Sequence, residues 1–257
     1  RVRREEPMLT LSQRIVRRWT RMLMPFRYEG ERACVCWCGG RLSPSPWSPL
    51  VGECRDCGTG VLFDRLTETA YGRFYASGTY RRYTMGTGDV TAAQLAKEIR
   101  RAEAAFRFLS DQAFDVYGKS VMDVGSGAGG ALIVARLLRA GIVLGVDSDP
   151  RSQPIPESFY IPVVTEMPPT DIPFDRIICS HLIEHVLRPV EFLRMLGLYL
   201  APEGCLYVET PAWGPKAEVK LAHPYYFRPD SFRTLVARAG LKVLEMTDGI
   251  QAIAVRP

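Results

Sequence analysis

An α/β fold, with helices packed on a mostly parallel sheet, is the class this sequence predicts. Three observations carry the prediction. Val121-Met122-Asp123-Val124 is an apolar run holding an acid, and it enters Gly125-Ser126-Gly127-Ala128-Gly129-Gly130, a turn with glycine at every second position. From residue 119 onward, short apolar runs alternate with helical patterns, as parallel strands joined by crossover helices require. The chain then reaches two apolar runs, 241–246 and 251–255, around Asp248-Gly249, which is a hairpin signal.

Composition bounds the reading before any element is taken. At 257 residues the chain can bury a substantial core, and one large domain with a small module is the natural count. Apolar content of 47% and charged content of 24% describe a globular chain. No apolar run approaches the ~20 residues of a spanning helix, and no secretory signal is visible. The expected location is therefore cytoplasmic. The sequence starts at Arg1 without an initiating Met, which suggests processing, trimming or excision from something longer. Residues 1–32 hold nine Arg and four Glu and so account for the whole net charge of +5; the remainder has 24 basic and 24 acidic residues. A neutral body argues against a nucleic-acid partner, because phosphate contacts need clustered Lys and Arg.

Residues 9–26 read as an amphipathic helix. Leu11, Ile15, Trp19, Met22, Leu23 and Phe26 share one face, Arg14, Arg17, Arg18 and Arg21 populate the other, and Pro25 marks the end. Such a helix docks on the body or on a second copy of the chain, giving a homo-oligomer. The alternatives are peripheral contact with the inner, anionic face of a membrane, or a connector to a neighbouring domain.

Cysteines follow. Cys34-Val-Cys36-Trp-Cys38-Gly39-Gly40 is separated by fifteen residues from Cys54-Arg-Asp-Cys57-Gly58. Two cysteine knuckles closing on glycine at this separation read as a zinc ribbon. The ligand set is Cys36, Cys38, Cys54 and Cys57, with Cys34 as substitute; a disulfide pair or free thiols is the other reading. Four thiolates leave no open coordination position, so this zinc would be structural.

Residues 61–88 are rich in aromatics: Phe63, Tyr71, Phe74, Tyr75, Tyr80 and Tyr83. A helix is expected over 67–76. A longer one is expected over 89–109, with Leu95, Ile99, Ala102 and Phe106 facing inward. The tyrosines either form a lid that stacks on a polar ring or pack the ribbon against the main domain. Strands are expected at 119–124, 142–147, 159–164, 174–180 and 204–210. Helices are expected at 190–200, opened by Pro189, and at 231–239, closed by Gly240. The organisation is thus a basic helix over 1–32, a ribbon-like module over 33–64, a helical lid or linker over 65–115 and the main domain over 116–257.

Two cofactors fit the glycine turn. Gly125, Gly127 and Gly130 spell G-x-G-x-x-G, and Asp147 lies twenty residues beyond Gly127, which is the nicotinamide pattern. Asp123, two residues before the first glycine, shifts the balance. With it, the chain resembles the class I S-adenosylmethionine (SAM)-dependent methyltransferases of the small-molecule branch, whose first motif is an acid followed by G-x-G-x-G. Residues 174–186, running Phe174-Asp175-Arg176-Ile177-Ile178-Cys179-Ser180-His181-Leu182-Ile183-Glu184-His185-Val186, resemble that branch's fourth-strand motif. Leu200-Ala201-Pro202-Glu203-Gly204 resembles the turn before its fifth strand. The resemblance implies a Rossmann-like seven-stranded methyltransferase sheet in the order 3-2-1-4-5-7-6. A ribbon before such a domain resembles a bacterial group that modifies sugars, glycans and related metabolites.

By that resemblance, Gly125, Gly127 and Gly129 shape the backbone against SAM, with Ser126 and Ser148 beside them. Asp123 lies near the donor's amino end, and Asp147 accepts the two ribose hydroxyls, with Asp149 as a nearby alternate. Residues 165–167 contribute to the adenine pocket, and S-adenosylhomocysteine (SAH) is the product. The chain holds three histidines. His181 ends the fourth strand at the carboxyl edge, touching the donor site, and is the expected general base toward a hydroxyl. His223 and Tyr225 are the expected acceptor contacts. For each histidine a satisfied structural role is the alternative. His181-Leu182-Ile183-Glu184-His185 also spells H-x-x-E-H, an inverted zinc-protease pattern. Because His181 directly follows an apolar strand, no catalytic metal is expected from that spacing, and Glu184 is expected to cap or anchor the helix.

The implied function is methyl transfer to a small polar acceptor, a hydroxyl of a sugar, glycan or glycosylated metabolite. Oxygen is preferred over carbon because the chain ends after the hairpin, whereas zinc-bearing sugar C-methyltransferases usually carry a further domain. The competing readings are an RNA methyltransferase with a zinc module, a non-catalytic SAM-binding recruitment module and, more remotely, a nicotinamide oxidoreductase.

Overall fold

The structure, a computed structural model, describes residues 30–33, 35–80, 82, 90–220 and 222–257. The helix expected over 9–26, Cys34 and Tyr83 lie outside the described residues.

Five short strands come first: β1 (Gly30–Arg32), β2 (Leu42–Pro44), β3 (Val51–Cys54), β4 (Gly60–Leu62) and β5 (Asp64–Leu66). β1 pairs antiparallel with β5, while β2, β3 and β4 form an antiparallel meander. Two helices follow. α1 (Glu68–Ala76) is capped by the Thr67 side chain, which accepts from Ala70 N, and α2 (Ala92–Asp111) by Thr91, which accepts from Gln94 N.

The main sheet then builds in sequence order. Its members are β6 (Ser120–Val124), β7 (Ile142–Val146), β8 (Val163–Val164), β9 (Phe174–Ser180) and β10 (Leu200–Glu209), interleaved with α3 (Gly130–Leu137), α4 (Pro154–Ser158) and α5 (Pro189–Leu198). After β10 come β11 (Tyr225–Tyr226), α6 (Pro229–Arg238), β12 (Lys242–Met246) and β13 (Gln251–Val255). The seven-stranded sheet runs β12-β13-β10-β9-β6-β7-β8; counting only its own strands in chain order, that is 6-7-5-4-1-2-3. β13 is antiparallel to both its neighbours, and the other contacts from β10 to β8 are parallel.

Strand alternation divides the core into two faces. Met122, Val124, Ile177, Cys179, Leu206 and Val208 pack with α5 and α6, while Val121, Ile178, Cys205, Tyr207 and Ile253 pack with α2 and α3. Helices on both faces bury both sets, which is why these strands read as continuous apolar runs.

Two elements differ from expectation. The third strand of the sheet shrinks from 159–164 to Val163–Val164, because Pro154 and Pro156 start a short helix and Tyr160 turns at φ 58°. The fifth begins early, at Leu200, with a register shift between Leu200 and Cys205. There Gly204 presses so close to β9 that an added Cβ would lie 2.8 Å from the Phe174 carbonyl oxygen.

One connection was not legible beforehand. β11 leaves the main domain and pairs antiparallel with β4, with Tyr225 opposite Val61, and Leu62 N donates to Pro224 O at 3.0 Å. The first module and the segment after β10 therefore share one four-stranded sheet, β11-β4-β3-β2.

Candidate active site

The site grows from the carboxyl ends of β6, β7 and β9, where ligands bind in parallel sheets. After β6, Gly125 and Gly127 take φ values of 77° and 58°, which only glycine adopts without strain. Gly125 N donates to Val146 O at 2.7 Å, tying the turn to β7. Asp147, just past β7, completes the tie. Its Oδ2 accepts from Gly127 N at 2.8 Å and its Oδ1 from Asp149 N at 2.9 Å. Ser126 Oγ is buried without a hydrogen-bond partner, and both Ser126 and Ser148 line the cleft.

Glu98 on α2 is a site residue the sequence reading missed. Its Oε2 accepts from Ala128 N at 2.8 Å, at the entry to α3. Gly130 allows this approach, since a Cβ there would stand 2.6 Å from the Glu98 backbone carbon. Nothing in the local pattern of α2 marks Glu98, because only packing brings it to the glycine turn. Three carboxylates now surround that turn. Burial, followed by the charges of Glu98 and Asp147, pushes Asp123 up to about 8, and burial also raises Glu98. A pocket crowded with acids favours a cation.

From this turn a cleft of about 600 Å³ extends to a second cluster, well within the size of small-molecule sites. Thr165 and Met167 line it, as do Tyr75, Tyr80, His181, Glu184, His185 and His223. His181 sits at the tip of β9 at φ 53°, an uncommon conformation for a side-chain-bearing residue. Its Nδ1 lies 3.3 Å from Glu184 Oε1 and its Nε2 3.7 Å from Glu209 Oε1. Burial disfavours its charge, but hydrogen bonding to the two carboxylates outweighs this and raises its pKa. His223 is held neutral: burial, then the neighbouring His185, lower it to about 3. Burial likewise lowers His185.

Two expectations are corrected. Tyr225, expected as an acceptor contact, does not reach the cleft. Paired with the first module on β11, it turns its hydroxyl to Leu187 O and Arg65 Nη1, each at 3.2 Å, and stays out of the cleft. Gly129 opens α3 at φ 86°, where an added Cβ would run into Pro156. Glu184 caps no α-helix. Residues Ile183–His185 form a single 3-10 turn, and α5 starts after Arg188 without a side-chain cap.

The cysteines converge in the first module, outside the cleft. Sγ–Sγ distances are 3.7 Å for Cys36–Cys57 and 3.4 Å for both Cys38–Cys54 and Cys38–Cys57, and none of the four forms a disulfide. Thiolates ~2.3 Å from a tetrahedral zinc stand roughly 3.7 Å apart, so the four sulfurs fit that ion.

Residues 94–246, more than half of the chain, match the family model described as a methyltransferase domain. The chain belongs to the methyltransferase-domain family. Among curated relatives, it is 26% identical over 121 residues to the ubiquinone biosynthesis O-methyltransferase of Aeromonas salmonicida strain A449, covering 43% of this chain and 50% of that protein. The chain thus spans about half the length of that relative. Among solved structures, the 1,6-didemethyltoxoflavin-N1-methyltransferase of Burkholderia thailandensis aligns with a TM-score of 0.55 at 15% identity, over 78% of this chain and 95% of that one. The magnesium protoporphyrin IX methyltransferase of Synechocystis PCC 6803 aligns at 0.52 and 16% identity, over 74% and 99%. Both were solved with bound SAH. At these identities the likeness shows the fold. Among the described residues, no helix of this methyltransferase-family chain is long and apolar enough to cross a membrane.

Proposed function

We propose that the chain transfers a methyl group from SAM to a hydroxyl of a small polar acceptor, a sugar, glycan or glycosylated metabolite. The observation that carries this reading is the polarity of the cleft. Its donor end is a glycine turn ringed by Glu98, Asp123 and Asp147, and its far end gathers all three histidines of the chain.

SAM supplies an electrophilic methyl on a positive sulfonium. Toward that donor, Asp123 and Glu98 face the cationic part, the Gly125–Gly127 backbone approaches it closely, and Asp147 offers its remaining lone pairs to the ribose hydroxyls. Ser126 Oγ, lacking a partner, is a ready contact. Thr165 and Met167 border the adenine. His181, between the two ends of the cleft, takes the acceptor's proton from its neutral form, which its raised pKa confines to higher pH, and His223 contacts the acceptor. The four-cysteine cluster holds a structural zinc. The basic segment 9–26 is kept as a surface for a second copy of the chain or for an anionic membrane.

A second reading of the acceptor rests on the rings at the far end. Tyr75 and Tyr80 have centroids 4.9 Å apart, and Tyr80 stands edge-on to His185 at 5.3 Å. Such a wall also suits a flat phenolic acceptor, and the relative from Aeromonas is named for ubiquinone biosynthesis.

Calorimetric titration with SAM, SAH and NAD tests the donor. Binding of the sulfur nucleotides and not NAD is expected; NAD binding alone would end the proposal. Turnover of glycosides against phenols then separates the two acceptors. His181→Ala should lose turnover while keeping SAH affinity, and unchanged turnover would remove His181 from the chemistry.

A further inference from the structure

We infer that Glu184, His185 and His223 form a divalent-cation site at the acceptor end of the cleft, suited to a first-row transition ion such as Mn²⁺ or Zn²⁺. The H-x-x-E-H spacing does not describe this site. His181 is the ion-pair neighbour of Glu184 here, and the third ligand comes from a loop beyond β10.

Convergence is the first observation. One ligand atom from each of the three residues lies within 4.8 Å of the other two. Ligands ~2.1 Å from a common ion stand roughly 3–4 Å apart, so small side-chain rotations bring the three atoms onto one ion. All three residues are buried, at 2%, 9% and 6% exposure respectively, yet all line the cleft.

The state of Glu184 is the second observation. Beyond the His181 ring nitrogen at 3.3 Å, neither carboxylate oxygen has a hydrogen-bond partner, although the residue is only 2% exposed. Its one close charged neighbour is His181 at 3.3 Å. Lys220, also in the cleft lining, directs its ammonium to Glu218 at 3.4 Å instead. One ring nitrogen leaves most lone pairs of a buried carboxylate unmet, and a cation would complete them.

His185 supplies the third observation. Its Nδ1 lies 2.9 Å from the Ala222 carbonyl oxygen and 2.8 Å from the Tyr75 hydroxyl. A carbonyl only accepts, so the tautomer that satisfies it carries the proton on Nδ1; the Nε2 lone pair then faces the Tyr80 hydroxyl at a long 3.5 Å, a contact that an ion would displace. Ring-to-carbonyl bonding of this kind is the usual second shell of a metal-bound histidine. Two imidazoles and one carboxylate are a donor set for a first-row divalent ion, and three protein ligands leave coordination positions toward the cleft.

This inference rests on the cleft being the methyl-acceptor site, and it narrows the acceptor class. An ion there would hold substrates that offer two neighbouring oxygens, such as vicinal diols, catechols or hydroxy-ketones.

The experiment is Mn²⁺ titration of the full chain followed by electron paramagnetic resonance of the free ion, with a single equivalent of zinc added first, which the four thiolates take in preference to a nitrogen–oxygen site. Mn²⁺ prefers oxygen and nitrogen donors, so thiolates compete poorly. Uptake of one Mn²⁺ by the unmodified chain is expected, weakened roughly tenfold or more in Glu184→Gln and in His223→Ala. SAH calorimetry on each variant reports whether the fold survives; the isosteric Glu184→Gln decides if His223→Ala does not fold. No uptake by the unmodified chain, or equal uptake by a folded Glu184→Gln, overturns the site. Mn²⁺ uptake without any SAH or SAM binding would instead defeat the proposed donor and leave the cation site standing.

Discussion

Asp123 shows how one residue can couple donor binding to pH. It is 5% exposed, and burial together with Glu98 and Asp147 raises its pKa to about 8, far above the ~3.9 of an unfolded aspartate. The sign follows. Its contribution to stability is whole below about 4 and is lost as pH rises through about 8, because the unfolded chain ionises first. A cationic donor prefers the ionised form, so binding SAM near neutral pH should release a proton, and affinity should rise with pH up to about 8. Calorimetry in two buffers of different ionisation heat would measure the release, and Asp123→Asn should abolish it. A pH-independent affinity in the unmodified chain would contradict the assignment. Glu98 makes the complementary prediction. Glu98→Gln keeps a hydrogen-bond acceptor for Ala128 N but removes a charge, so SAM affinity should fall by about tenfold, worth ~1.4 kcal/mol, while uncharged adenosine binds as before.

At the scale of elements, the α2–α3 contact decides the shape of the cleft at the glycine turn. α2 lies so close to the start of α3 that Gly130 has no room for a methyl group. Gly130→Ala should cost about 1–3 kcal/mol in denaturant unfolding and weaken SAM binding, because the helix bearing Glu98 must retreat. Equal stability with full binding would show that α2 yields without consequence. The packing of α6 is a separate matter. Phe232, fully buried against Phe227, belongs to the core face that α5 and α6 cover. Phe232→Ala should therefore lose about 3–5 kcal/mol while leaving SAH affinity of the folded fraction unchanged.

Across the whole molecule, the four-cysteine module and the segment between β10 and α6 form one mechanical unit. β11 is a strand of the module's sheet, Trp213 Nε1 donates to Glu53 Oε1 at 3.2 Å, and Arg238 Nη1 donates to Cys38 O at 3.1 Å. His223 sits two residues before β11. Opening the cysteine cluster with Cys38→Ser and Cys57→Ser should thus raise amide exchange in residues 222–228 and leave residues 120–130 protected. Unchanged exchange in 222–228 would mean that the loop holds itself.

Much of the main domain was legible because its signals are local. The apolar runs, the acid before the glycine turn, Asp147 past the second strand of the sheet and the final hairpin each follow from residue order. So did the four converging cysteines, whose knuckle spacing limits what they can do. The misreadings have a different origin. The resemblance puts Tyr225 beside His223 at the acceptor, but pairing of β11 with β4 turns it away. Glu98 carried no signal at all.

By itself, the sequence determined the α/β class, the glycine turn and the residue types available to it, because backbone conformation and burial pattern act over a few residues. Tertiary structure alone decided that Glu98 joins Asp123 and Asp147, that the first module pairs with β11, and that Glu184, His185 and His223 face one another. Each of those contacts joins segments distant in sequence or depends on which way a turn directs a side chain, and that is settled only when the sheet, helices and loops pack.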